Sequence, residues 1–137
     1  MRRTLPDVEK AAAACIAIVD DEASVRTMLG RLLRLADYEV AAFTCGEEFI
    51  ASLDKRRPDC AILDVHLPGL SGLDVQSRLS AAHVNIPVVF ITASDDLALD
   101  RTAKEAGGIR LLRKPFTSDD LLQAIGVALS QKPRHLS

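Results

Sequence analysis

The chain has 137 residues, a length that suits one domain with a single sizeable core. Apolar residues make up 48% and charged residues 26%, an ordinary soluble balance, and the formal charge of −2 offers no basic excess for nucleic acid or an anionic membrane. No apolar run approaches the roughly 18 residues that a membrane-spanning helix needs, so a cytoplasmic protein without direct DNA contact is expected.

In chain order, "MRRTLPDVEKAAAAC" superficially resembles a lipoprotein signal, but Asp7, Glu9 and Lys10 stand where an apolar core should be. Residues 1–13 are therefore expected to form a loosely ordered extension, with no signal peptide. "CIAIV" (15–19) reads as a strand, and Val25, Met28, Leu29, Leu32 and Leu33 recur at helical spacing behind it. "YEVAAF" (38–43) is a second strand, and Phe49, Ile50 and Leu53 mark a short helix. "CAIL" (60–63) is a third strand, after which Ser71 caps a helix carrying Leu73 and Leu79.

"PVVFIT" (87–92), rich in β-branched residues, is a fourth strand. A helix from about Asp95 to Ala106 should end at Gly107-Gly108, and "IRLL" (109–112) is a weaker fifth strand. Thr117 caps the last helix, where Asp119 and Asp120 suit the positive end of the dipole and Leu121, Leu122, Ile125 and Leu129 face the core. Gly30 and Gly126 interrupt helices, for which close packing is the modest explanation. Residues 14–131 thus read as one domain and 132–137 as a polar tail. Five strands alternating with five helices predict an α/β fold with a doubly wound parallel sheet.

Cys15, Cys45 and Cys60 are odd in number, scattered and without metal-ligand spacing, so they read as reduced thiols. The chemistry collects elsewhere. Ligands of an open parallel sheet bind beyond the carboxyl ends of its strands. Those ends carry Asp20 and Asp21 after strand one, Asp64 after strand three, Thr92 after strand four and Lys114 after strand five. Three close carboxylates repel unless protons or a cation compensate, and Mg²⁺, which takes hard oxygen ligands, is the natural cation. With a lysine and a hydroxyl alongside, such a site suits phosphoryl transfer, and an Asp carboxylate can itself be the nucleophile. Taken singly, each residue has a bland reading: a helix cap for Asp20, a solvated cation for Lys114, a strand residue for Thr92.

"IVDDEASVR", "LDVHLPGLSG", "ITAS" and "LLRKPF" resemble, in order and interval, the signature segments of response-regulator receiver domains, the CheY-like family. The resemblance spans about residues 14–131 and is closest in wording to FixJ-type receivers. It implies a flavodoxin-like sheet of order 2-1-3-4-5 with five helices. It implies that Asp64 accepts a phosphoryl group and that Asp21 and Asp64 hold Mg²⁺, with Asp20 acting through water. The backbone carbonyl of His66 would be the third protein ligand. Thr92 and Lys114 would contact the phosphoryl oxygens, with a cis Lys114–Pro115 bond. The implied donor is a phosphohistidine of a sensor histidine kinase or phosphotransfer protein, and the implied output is contact with a protein target, as a monomer or a phosphorylation-dependent dimer.

The His66 imidazole is not assigned to the metal, because Mg²⁺ prefers oxygen; overhanging Asp64 and tuning hydrolytic water is the role expected of it. His83 and His135 read as ordinary loop and tail residues. Receivers usually carry an aromatic three residues before the lysine, whereas this chain has Leu111, which simply packs in the sheet on the bland reading. Output is expected at the fourth helix, fifth strand and fifth helix, with Lys104, Glu105, Arg110 and Arg113 exposed. The expected protein is a single-domain response regulator, since the tail to Ser137 is unlike a tag. The alternatives are the receiver half of a FixJ-type transcription factor, a haloacid-dehalogenase-like phosphatase, and a docking module that is never phosphorylated. The phosphatase is disfavoured because Asp20 and Asp21 are adjacent rather than separated by one residue.

Overall fold

Three strands are buried along their whole length: β1 (Cys15–Val19), β3 (Cys60–Asp64) and β4 (Val88–Thr92). They form the middle of one five-stranded sheet in a computed structural model that describes residues 13–131. β2 (Glu39–Phe43) and β5 (Arg110–Arg113) form its edges, in the order β2-β1-β3-β4-β5 with every neighbouring pair parallel. The expected extension over 1–13 and tail over 132–137 lie, apart from residue 13, outside the described residues.

Burial on both faces is why the central strands are continuously apolar rather than alternating. Ile16, Ile18, Ile62, Val89 and Ile91 point to one face and pack with Leu29 and Leu33 of α1 (Ala23–Leu35) and Leu121 and Ile125 of α5 (Ser118–Gln131). Val19, Leu63, Val88 and Phe90 point to the other face. There they meet Phe49 of α2 (Gly46–Ser52), Val75 and Leu79 of α3 (Gly72–Ala81), and Ala103 of α4 (Ala98–Glu105). Each crossover returns the chain to the same end of the sheet, so all five strands finish at one edge. This is the doubly wound architecture that the alternating pattern predicts.

Local chemistry sets the helix starts. Ser71 Oγ accepts the Asp74 N–H and Asp74 Oδ2 accepts the Ser71 N–H, each at 3.1 Å, a reciprocal capping box. Thr117 Oγ1 accepts the Asp120 N–H at 2.9 Å, the cap expected for the last helix. Gly107 takes φ 98° just beyond α4, as its position predicts.

Four expectations are corrected. The fourth helix starts at Ala98 instead of Asp95, because Ser94 and Asp96 side chains satisfy the backbone N–H groups of Asp96 and Ala98 in a loop. The fifth strand runs one residue later than "IRLL", with Arg113 opposite Thr92. Met28, which its spacing places on the apolar side of α1, is 48% exposed. Close packing suits buried Gly30, beside Arg34 and Val40, but a Cβ on Gly126 would meet nothing within 4 Å.

Candidate functional site

At the common carboxyl edge, Asp20 follows β1, Asp64 ends β3, Thr92 ends β4 and Lys114 follows β5. Positions up to 94 residues apart in sequence thereby meet. Lys114 Nζ lies 3.0 Å from Asp20 Oδ2 and 3.0 Å from Asp64 Oδ2, and 3.5 Å from Glu22 Oε1. Asp20 and Thr92 are fully buried, Asp64 is 6% exposed, and Asp21 faces solvent.

One local motif orients three of these side chains. Asp20 Oδ1 accepts the Glu22 N–H at 2.9 Å, Asp64 Oδ1 accepts the His66 N–H at 2.9 Å, and Thr92 Oγ1 accepts the Ser94 N–H at 3.0 Å. Each strand-end side chain thus binds the backbone two residues on, as short polar side chains do at turns. The motif fixes one oxygen of each Asp, leaving Oδ2 of both to face Lys114.

The turn behind Asp64 is built to allow this. A Cβ on Gly72 would collide with the Asp64 carbonyl oxygen, so α3 can start this close to β3 only with glycine. Gly69 takes φ 74°, and Glu47 Oε2 of α2 accepts the Leu70 N–H at 3.3 Å, pinning the loop from the side. The Lys114–Pro115 bond is cis.

Burial pushes the Asp20 carboxyl above its ordinary value, and the Asp64 charge adds to this; the Glu22 N–H and Lys114 oppose it without cancelling it. Burial also works against the charge on Lys114, but the Asp20 and Asp64 carboxylates outweigh it and hold the ammonium above its ordinary value. Lys114 is therefore a fixed cation. One carboxylate oxygen from each of Asp20, Asp21 and Asp64 lies within 4.8 Å of the other two, a set of hard donors whose excess negative charge fits Mg²⁺. The His66 ring is exposed and outside that set, and its backbone N–H is the part that touches Asp64.

Sequence reasoning missed two contributors. Glu22 adds a third acid to Lys114, which the "DDE" run signals, and Arg26 Nη1 donates to the Asp20 carbonyl at 2.7 Å, which nothing in the sequence signals. One expected exposed residue is corrected. Lys104, Glu105 and Arg110 face solvent, but the Arg113 side chain is only 29% exposed and is bound to Asp100 and the Asp96 carbonyl. Leu111 packs partly buried against the cluster that contains Phe90 and Ala103.

The family model for the response regulator receiver domain matches residues 16–126, which include every residue of this edge. The chain belongs to that family. This receiver domain is 37% identical over 126 residues to Nodulation protein W of Bradyrhizobium diazoefficiens, covering 92% of this chain and 55% of that protein. It is 32% identical over 124 residues to the DNA-binding transcriptional regulator NtrC of Salmonella typhimurium, covering 87% of this chain and 26% of that protein. Among solved structures it resembles FixJ-N with a TM-score of 0.84 at 27% identity, covering 90% of this chain and 99% of that one. The chain spans about half the length of curated relatives such as Nodulation protein W. The family match decides against the haloacid-dehalogenase-like alternative, and no described helix is long and apolar enough to cross a membrane.

Proposed function

We propose that this receiver domain accepts a phosphoryl group on Asp64 from a phosphohistidine of a sensor histidine kinase or phosphotransfer protein. The observation that carries the reading is the single cation of Lys114 at 3.0 Å from both Asp20 and Asp64. A carboxylate oxygen of Asp64 attacks phosphorus, the nitrogen–phosphorus bond of the donor breaks, and the electron pair leaves with the imidazole, which takes up a proton. Lys114 and the Thr92 hydroxyl bind the oxygens of the group in flight, where positioning and charge neutralisation do most of the catalysis.

Asp21 and Asp64 would hold Mg²⁺ directly, Asp20 through water, and the His66 carbonyl would complete the protein ligands. When bound, that ion supplies charge neutralisation at the phosphoryl oxygens. The donor set of three acids around one edge supports this assignment. The domain is a self-phosphorylating and self-dephosphorylating switch rather than a metabolic enzyme. It acts in the cytoplasm through contact with a protein target, as a monomer or a phosphorylation-dependent dimer.

The test is to incubate wild type and Asp64→Asn with a small phosphodonor and Mg²⁺ and weigh the intact proteins. Wild type gains one phosphoryl group and the variant none; a gain that does not depend on Asp64 overturns the reading. A second reading, that residues 14–131 are the receiver part of a longer transcription regulator, is supported by the half-length match to relatives. The mass of the native protein distinguishes it from a single-domain regulator.

A further inference from the structure

Thr92 and Arg113 are register partners on β4 and β5, and strand alternation puts both on the face that α4 covers. The Lys114 N–H donates to the Thr92 carbonyl at 2.7 Å, tying the two strand ends together. From Thr92 an unbroken series of hydrogen bonds runs into α4. The Ser94 N–H donates to Thr92 Oγ1 at 3.0 Å, the Asp96 N–H to Ser94 Oγ at 3.1 Å, and the Ala98 N–H to Asp96 Oδ1 at 2.9 Å. Arg113 closes the series from the neighbouring strand: Nη2 donates to the Asp96 carbonyl at 2.7 Å and Nη1 to Asp100 Oδ1 at 3.1 Å. One guanidinium therefore grips the loop before α4 and the first turn of α4 together.

Two further features bear on what this grip does. Arg113 Nε is buried and makes no hydrogen bond, so the two Nη atoms carry all of the guanidinium's hydrogen bonds. Leu111, where receivers usually carry an aromatic, has neither ring nor hydroxyl and sits in the apolar packing beneath α4. Nothing in Leu111 can follow the Thr92 hydroxyl. Arg113 is linked to it through Ser94 and Asp96, and its planar fork holds the Asp96 carbonyl and Asp100 in fixed relation.

We propose that Arg113 is a positioning residue that couples Thr92 to the placement of α4, a task that residue 111 cannot perform in this chain. The proposal rests on the phosphorylation of Asp64 argued above. The Thr92 hydroxyl has one proton to donate to a phosphoryl oxygen while it still accepts the Ser94 N–H, so its movement towards Asp64 draws Ser94 with it. Asp96 follows through Ser94 Oγ, and the Arg113 fork turns the shift of the loop into a shift of Asp100 and the first turn of α4.

The experiment uses the full chain with Mg²⁺ and beryllofluoride, a mimic of the phosphoryl group, in wild type, Arg113→Gln and Asp100→Asn. Fluorine resonance reports binding of the mimic, and amide exchange reports residues 93–105. In wild type, mimic binding is expected to change exchange in the first turn of α4 by about threefold or more. Arg113→Gln is expected to bind the mimic within about twofold of wild type and to lose most of that response, the Asp96–Ala98 bond carrying the remainder, while Asp100→Asn keeps about half of it. A wild-type response in Arg113→Gln overturns the proposal, as does a wild type that binds the mimic without any change in α4. Should Arg113→Gln not fold, a full response in Asp100→Asn, altered at an exposed carboxylate, overturns it equally. No bound mimic in wild type overturns the phosphorylation reading and this proposal with it, and the fluorine signal separates that case from the others.

Discussion

Lys114 Nζ is equidistant, at 3.0 Å, from one oxygen of Asp20 and one of Asp64, although the two acids stand on different strands. A single ammonium therefore lies between two buried carboxylates and offsets the repulsion between them. On the proposed function the same ammonium also meets a phosphoryl oxygen on Asp64, and stability and function then compete for one cation.

Replacing that cation tests the competition. Lys114→Met is expected to lower metal-free stability by about 1–3 kcal/mol, because it leaves two acids uncompensated at a site that retains some contact with water. Phosphoryl uptake should fall by at least about tenfold, with Mg²⁺ binding retained, since the carboxylates remain. Denaturant unfolding and the rate of mass gain from a small phosphodonor check the two halves.

Asp20→Asn should act in the opposite direction on stability. The folded-state value of Asp20 is raised, so the folded protein holds its proton more tightly than the unfolded chain does. Stability therefore falls as pH rises from the ordinary value of 3.8 through the folded value, and the penalty is complete above that. The variant is expected to be more stable than wild type at neutral pH without Mg²⁺, and to lose the advantage as pH falls below 3.8. Added Mg²⁺ should stabilise wild type more than the variant, which keeps Asp21 and Asp64 but has one negative charge fewer near the ion. Paired unfolding curves across pH would show a constant difference if Asp20 carried no strain.

Gly72→Ala puts a methyl group against the Asp64 carbonyl oxygen, and the strand end must move to admit it. Overpacking of this kind costs about 1–3 kcal/mol. Because the displaced atom belongs to Asp64 itself, phosphoryl uptake should fall further than the loss of folded protein explains. Activity per folded molecule, measured well below the melting temperature, separates the two effects.

Gly126→Ala should do the reverse and stabilise. The position is an exposed helical site on α5 with open space where the Cβ would go. A gain of about 0.5–1 kcal/mol is expected, with phosphoryl uptake unchanged. A melting temperature equal to or below that of wild type would show that α5 uses the glycine for something the packing does not reveal.

His66→Asn addresses the lifetime of the phosphoryl group. The His66 N–H anchors Asp64 Oδ1 whatever the side chain, so the substitution leaves the acceptor in place. The exposed ring is positioned two residues beyond Asp64, and replacing it is expected to change the dephosphorylation rate by about threefold or more through access of water. Loss of phosphate from the isolated phosphoprotein, followed by mass, reads this directly, and an unchanged rate removes the ring from the mechanism.

The sequence alone determines the alternation of strand and helix, because the short apolar runs at 15–19, 60–63 and 87–92, set between longer helical periodicities, suit strands covered on both faces. It also determines which residues stand at the strand ends, since a parallel doubly wound sheet brings all of those ends to one edge. Asp20, Asp21, Asp64, Thr92 and Lys114 were legible for that reason. The helix caps at Ser71 and Thr117 were legible too, because capping depends on neighbours three residues away.

What only the tertiary structure decides depends on distance across the fold. The sharing of Lys114 between Asp20 and Asp64 requires β1, β3 and β5 in their actual order and register. Gly72 reads as a small residue near a cap until the Asp64 carbonyl is seen where its Cβ would be. Arg113 reads as an exposed strand-end cation until β5 slides one residue and sets it opposite Thr92, within reach of Asp96 and Asp100. Periodicity is a property of short segments and survives in the sequence. The partner of a long side chain depends on which strands are neighbours and in what register, and for Arg113 that choice joins the site to α4.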